Sequence, residues 1–154
     1  MRWEQGRSAL EEMLSRGEVQ RVPASRDAAD RLIHQARAHL SSAKAVQGTD
    51  PDGAYVLTYD AARKALPAIL ENQGLRASSR GGHVAVMEAV QAQLDPPLGK
   101  SLRPFSRMRR KRSLIEYAPA ETPGLTSADI EEDGAHALAL IELADRVLDQ
   151  MSPF

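Results

Sequence analysis

The sequence contains no cysteine. That excludes a disulfide scaffold, a thiolate metal site and a cysteine nucleophile, and it is compatible with a reducing cytoplasm. Aromatic residues are scarce, with one tryptophan, three tyrosines and two phenylalanines among 154 residues. Runs of β-branched residues are missing too, while alanine is abundant, so helices are expected over strands. No apolar run approaches the ~20 residues that a membrane helix needs. The opening segment "MRWEQGRSALEEMLSRGE" is amphipathic and holds acids, unlike a secretory signal. These absences lead to the expectation of a soluble, cytoplasmic protein that does not enter a membrane. Net charge is −1, so the molecule as a whole lacks the positive excess of many nucleic-acid binders.

The distribution of charge is more telling. Lys100, Arg103, Arg107, Arg109, Arg110, Lys111 and Arg112 follow one another with no acid between them. Shortly after, "DIEED" (129–133) carries four acids in five residues. A local positive patch on a nearly neutral protein therefore needs an explanation.

Apolar spacing predicts five or six helices. Trp3, Leu10, Met13 and Leu14 mark a short first helix that Gly17 can end, and "VQRVP" (19–23) breaks the pattern. From Ser25, a good N-cap, the positions Ala29, Leu32, Ile33, Ala36, Leu40 and Ala43 keep helical spacing. Asp50-Pro51 opens the next helix, with Tyr55, Tyr59, Ala62, Leu66 and Ile69 on one stripe and Gly74 at its end. Pro67 lies inside it and is expected to remove a hydrogen bond and bend the helix.

"RASSRGG" (76–82) reads as a loop, followed by a helix through Val84, Met87, Val90 and Leu94 that Pro96-Pro97 stops. A basic helix runs from near Pro104 to about Tyr117, and "APAETPG" (118–124) is a linker. Thr126 and Asp129 have capping-box spacing before a last helix whose buried stripe includes Ile130, Ala137, Ile141 and Leu148. Short connections favour antiparallel neighbours, so the expected fold is all-α, an antiparallel up-and-down bundle. Residues 1–22 are expected to form an N-terminal helical extension, and 23–154 the bundle.

Within the basic helix, Phe105, Met108, Arg112 and Ile115 share one face. Arg112 therefore stands where the stripe predicts a buried side chain, and a buried charge needs a partner. Asp60, which is also spaced to pair with Arg63 on its own helix, is the expected partner across the bundle. Arg107, Arg110 and Lys111 are expected to point mainly to solvent. Tyr117 follows Arg112 by five residues, rotated by about 140° on a regular helix. It can reach the Arg112 face if Ala118-Pro119 ends the helix there.

The stretch "RSLIEY" (112–117), together with "AYVLTYDAARKAL" (54–66), "QGLR" (73–76) and "GGH" (81–83), resembles the HEPN superfamily of small helical bundles. It looks like a subfamily with Arg-x-x-x-x-Tyr where other members carry Arg-x-x-x-x-His. The resemblance covers roughly residues 25–150. It implies a homodimer whose paired motifs meet in a cleft, and an activity as a metal-independent endoribonuclease toxin or defence component. A nucleotidyltransferase antitoxin is the implied partner. In such chemistry an imidazole moves the proton of the ribose 2′-hydroxyl and an arginine stabilises phosphorane charge.

Carried over by residue, Arg112 takes the arginine role and Ser113 the polar position after it, while Tyr117 occupies the place of the histidine. His83 is the one imidazole that the GGH turn can bring near, although a capping or loop role is the commoner use of such a residue. Arg107, Arg109, Arg110 and Lys111 are the expected phosphate contacts, supported by Asp60 and Arg63. The competing expectation is a catalytically inactive bundle that serves as a binding or dimerisation module. A third is a structural bundle whose basic helix only contacts the 129–133 acids. His34, His39 and His136 have no spacing for a metal or acid–base site. No P-loop, dinucleotide turn, HExxH motif or nucleophile elbow is present, so no cofactor and no metal are expected.

Overall fold

Helix boundaries follow local chemistry closely. Ser25 Oγ accepts from the backbone N–H of Ala28 at 3.0 Å and starts a helix over Arg26–Val46. Asp50 does the same for Gly53 and starts Pro51–Gln73, which ends on Gly74 at φ +79°. Thr126 and Asp129 form a reciprocal capping box at the head of Ser127–Leu148. In this computed structural model, which describes residues 3–154, the helices in chain order are α1 (Arg7–Ser15), α2 (Arg26–Val46), α3 (Pro51–Gln73), α4 (Gly82–Leu94), α5 (Pro104–Tyr117) and α6 (Ser127–Leu148). A 3₁₀ turn, Gly99–Ser101, precedes α5. The fold is an all-α helical bundle, as composition and periodicity indicate. Met1 and Arg2, at the start of the expected extension, lie outside the described residues.

The central element is α3, which packs on α2, α4, α5 and α6. Its contact with α2 is the most extensive in the molecule. The residue sizes explain this. Ala29, Ile33, Ala36 and Ala43 on α2 are buried, as are Ala54, Thr58, Ala61, Ala65 and Ala68 on α3. Both sets advance in steps of four and three or in sevens, so small side chains line a seam along which two backbones approach closely. Bulkier Leu66, Ile69, Leu70, Leu140, Ile141 and Leu143 fill the α3–α6 side, each worth roughly 1.5–3 kcal/mol of apolar burial. Pro67 sits inside α3, and the helix continues through it to Gln73.

One pairing was not legible in the sequence. Val19–Arg21 (β1) and Leu75–Ala77 (β2) form a two-stranded antiparallel ladder, Val19 opposite Ala77 and Arg21 opposite Leu75. The expected loop at 76–82 thus yields its first two residues to a strand. Val19 and Leu75 are buried there, so tertiary packing, not a run of strand formers, creates the ladder. α1 lies against α4, with Leu10 and Met13 in the core.

α4 is held in place by polar clamps. The buried carboxamides of Gln73 and Gln93 donate to each other at 3.0 and 2.7 Å. Trp3 Nε1–H donates to the Gln93 carbonyl at 3.0 Å. The Gln73–Gln93 pair fixes the C-terminal end of α4 to α3, and the Trp3 bond ties the N-terminal segment to the same end. Among the described residues no helix is long and apolar enough to cross a membrane.

Candidate functional site: a cationic cleft between α3, α4 and α5

Three elements converge on one cleft of about 420 Å³. α3 contributes Tyr59, Asp60 and Arg63, α4 contributes His83, and α5 contributes Arg109, Arg112, Ser113, Glu116 and Tyr117. The buried aromatic residue of the cleft lining is Tyr59. Tyr59 stacks on Phe105 with ring centroids 5.5 Å apart and planes 18° from parallel, and both rings are buried. Phe105 and Met108 anchor the inner stripe of α5, which carries Arg112 to the cleft wall one turn further on.

Arg112 is partly buried, with its side chain 25% exposed. Its partner is not Asp60, as expected across the bundle, but Glu116, whose Oε1 lies 2.8 Å from Arg112 Nη2. The reason is local: Glu116 stands four residues on along the same helix, and Asp60 is already taken by Arg63 Nε at 3.2 Å. The hydrogen bond from Arg112, and then one from Tyr117, hold the Glu116 carboxyl below the ordinary glutamate range. Burial raises the Tyr59 phenol above its ordinary value, even though the nearby charges of Arg109, Arg63 and Arg112 pull the other way. Three guanidinium groups and one opposing carboxylate, that of Asp60, thus act on one tyrosine hydroxyl.

The helix ends at Tyr117, because Ala118 turns to extended backbone at φ −70° and ψ 146° before Pro119. Tyr117 is 80% exposed and shares the cleft with Arg112. His83, 29 residues before Arg112 in the chain, lines the same cleft. The structure therefore brings Arg112, Tyr117, His83, Arg109, Asp60, Arg63 and Ser113 together. Glu116, the residue that holds Arg112, was not singled out in the sequence, although its i,i+4 spacing was a visible signal.

Of the other basic residues of α5, Arg107 and Arg110 are exposed, as expected, and Lys111 departs from the expectation by turning toward α6. Lys111 Nζ lies 3.1 Å from Asp133 and 3.4 Å from Asp129 on α6. Arg107 lies 3.8 Å from both Asp133 and Glu132, and 3.3 Å from His136. The cause is Asp133, which is fully buried and draws cations from the adjacent helix. Tyr55 O–H donates at 2.7 Å to the same Oδ2 that Lys111 approaches. Burial, with the Asp133 carboxylate beside it, raises the Tyr55 phenol. Burial by itself lowers the Lys111 ammonium, but Asp133 and Asp129 outweigh this and leave it raised. Arg110 stays on the outer face, and among the described residues neither it nor Arg109 has an ion-pair partner.

His34 is exposed. His39 on α2 lies 2.7 Å from Lys64 on α3. Among the described residues, no three histidine or carboxylate side chains are grouped so as to hold a metal ion.

No family model matches the chain, and no solved structure matches it. Over 109 residues it is 32% identical to the E subunit of the V-type proton ATPase of Deinococcus deserti. That stretch covers 68% of this chain and 58% of the relative, so the likeness leaves much of the longer protein unmatched.

Proposed function

We propose that the cleft binds the phosphates of RNA or a nucleotide, and that the chain is a HEPN-like domain with metal-independent endoribonuclease chemistry. The observation that carries this reading is the meeting of His83 with Arg112 and Tyr117 in one cavity. The motif at 112–117 lacks an imidazole, and the start of α4 supplies one. Arg63, Arg109 and Arg112 provide the charge that a phosphodiester requires.

The chemistry is a transesterification. His83 accepts the proton of the ribose 2′-hydroxyl as its oxygen attacks phosphorus. A 2′-O–P bond forms and the P–O5′ bond breaks. Arg112 and Arg109 stabilise the charge that builds on the non-bridging oxygens. The Tyr117 hydroxyl, a hydrogen-bond donor at the open rim, gives its proton to the departing 5′ oxygen. Glu116 occupies Arg112 until a phosphate displaces it.

The test is incubation of the purified chain with single-stranded and structured RNA in EDTA. Cleavage that disappears in Arg112→Ala and falls in His83→Ala supports the reading. Cleavage undiminished in Arg112→Ala marks a contaminating nuclease and refutes it.

A second reading, an interaction module without catalysis, has its own support. The matched relative is named as one subunit of an ATPase. A groove of about 560 Å³ between α2, α3 and α6, lined by Leu40, Ala43, Ala135 and Leu138, offers an apolar surface away from the cleft. In that case a second copy of the chain or a nucleotidyltransferase is the partner. RNA binding without cleavage, in a protein that elutes as a dimer, favours this version.

A further inference from the structure

The cationic cleft does not end at His83. A second groove, of about 310 Å³, continues from it between α4 and α5 and shares His83 and Arg109 with it. Its lining differs in kind. Val84 and Met87 present apolar surface from α4, Phe105 closes the bottom, and Glu88, Gln91 and Ser106 supply polar atoms. Val84 is 60% exposed, an unusual position for a branched apolar side chain beside a charged cleft. From His83 the shelf reaches Met87 after ~6 Å along the helix axis and Gln91 after ~12 Å.

The two cavities together have the character of a small-molecule site: apolar surface, a few polar groups, and the guanidinium groups gathered toward one end. They are also polarised. Arg63, Arg109 and Arg112 stand at the cleft end, and the carboxylate of Glu88 stands at the groove end. A ligand that fits both must carry negative charge at one end. At the other it needs a flat apolar body with hydrogen-bond donors.

We infer that the α4–α5 groove is a nucleobase subsite, which holds the base of a 5′-phosphorylated ribonucleoside whose phosphate lies in the Arg63–Arg109–Arg112 cleft. This rests on the phosphate-binding reading above and extends it to the base. The ring lies on Val84 and Met87, an apolar face that suits any base. Glu88 accepts from an exocyclic amine, as a carboxylate does from the amine of cytosine. Adenine and cytosine are therefore preferred to uracil, which has a carbonyl at that position. The same shared chemistry serves a free nucleotide or one unit of an RNA strand.

The test is titration calorimetry of the full chain with inorganic phosphate, adenosine 5′-monophosphate, uridine 5′-monophosphate and a short oligoadenylate. The adenosine nucleotide is expected to bind at least about tenfold more tightly than phosphate, the scale of one base contact, and more tightly than the uridine nucleotide. Val84→Asn combined with Met87→Gln, both neutral changes on the shelf, removes that advantage and leaves phosphate binding unchanged. Glu88→Gln narrows the gap between the two nucleotides.

Tighter binding of the oligoadenylate than of the mononucleotide identifies a strand as the ligand, and equal binding identifies the free nucleotide. An unchanged ratio of nucleotide to phosphate affinity in the shelf variant overturns the subsite, even if Arg109→Ala still loses phosphate. Binding that survives both Arg109→Ala and Arg112→Ala overturns the phosphate cleft itself. Melting temperatures of all variants, equal to that of the parent chain, separate these outcomes from misfolding.

Discussion

Arg112 is held by Glu116, with Nη2 and Oε1 2.8 Å apart across one turn of α5. The carboxylate keeps the guanidinium extended along the cleft wall and competes with any phosphate for the same donors. Glu116→Gln is therefore expected to tighten RNA or phosphate binding several-fold, while Glu116→Lys weakens the fold little and raises non-specific binding. Filter binding at low salt reads both. Weaker binding in Glu116→Gln would mean that the pair positions Arg112 productively instead of competing with substrate.

The carboxylate of Asp133 is fully buried. It accepts from Tyr55 and pairs with Lys111, and its Oδ1 has no hydrogen-bond partner among the described residues. Tyr55→Phe leaves the acid less satisfied and is expected to cost about 1–3 kcal/mol. Lys111→Met removes the closest balancing charge and is expected to cost about 3–5 kcal/mol, as when one member of a buried pair is lost. Urea unfolding measures both. A stable Lys111→Met protein would show that Arg107, at 3.8 Å, suffices.

His39 gives the fold a pH dependence of its own. Burial, and then the charge of Lys64 beside it, lower its imidazole below the ordinary histidine value, with Asp60 opposing and Arg63 reinforcing the shift. The unfolded chain therefore takes up this proton more readily than the folded one. The contribution is fully present above the ordinary value of about 6.5 and is lost as pH falls from there through the lower folded value. Unfolding free energies at several pH values should show a decline that His39→Gln makes shallower. The same slope in the variant would assign the decline to another group.

α1 packs Leu10 and Met13 into the same core as α3 and α4. Leu10→Ala is expected to cost about 2–5 kcal/mol and to lower the single melting transition of the whole chain. A separate, earlier transition would mark residues 1–22 as an independently melting extension.

The helices were legible because caps and periodicity agreed: Ser25, Asp50, Thr126 and Gly74 each stand where local chemistry requires them. The β1–β2 ladder was not legible, since three-residue strands carry too little pattern to separate them from loops. In the site, the motif pointed to Arg112 and Tyr117, and their common cavity is a matter of geometry. His83 was legible only as a candidate, because its place beside Arg112 depends on how α4 and α5 both pack against α3. The division of the basic run was misjudged for Lys111, which is half-buried against Asp133, while Arg107 is exposed as expected. Helical phase alone does not reveal that a facing helix buries an aspartate.

Binding of a fluorescent single-stranded RNA across a series of salt concentrations tests the central claim most directly, with the parent chain compared with Arg109→Ala and Arg112→Ala. Each phosphate contact to a single strand contributes about 0.7 to the slope of log affinity against log salt. The account predicts a steep slope in the parent, reduced by about that amount in each variant, at unchanged melting temperature. Identical affinities and slopes in all three proteins would contradict it.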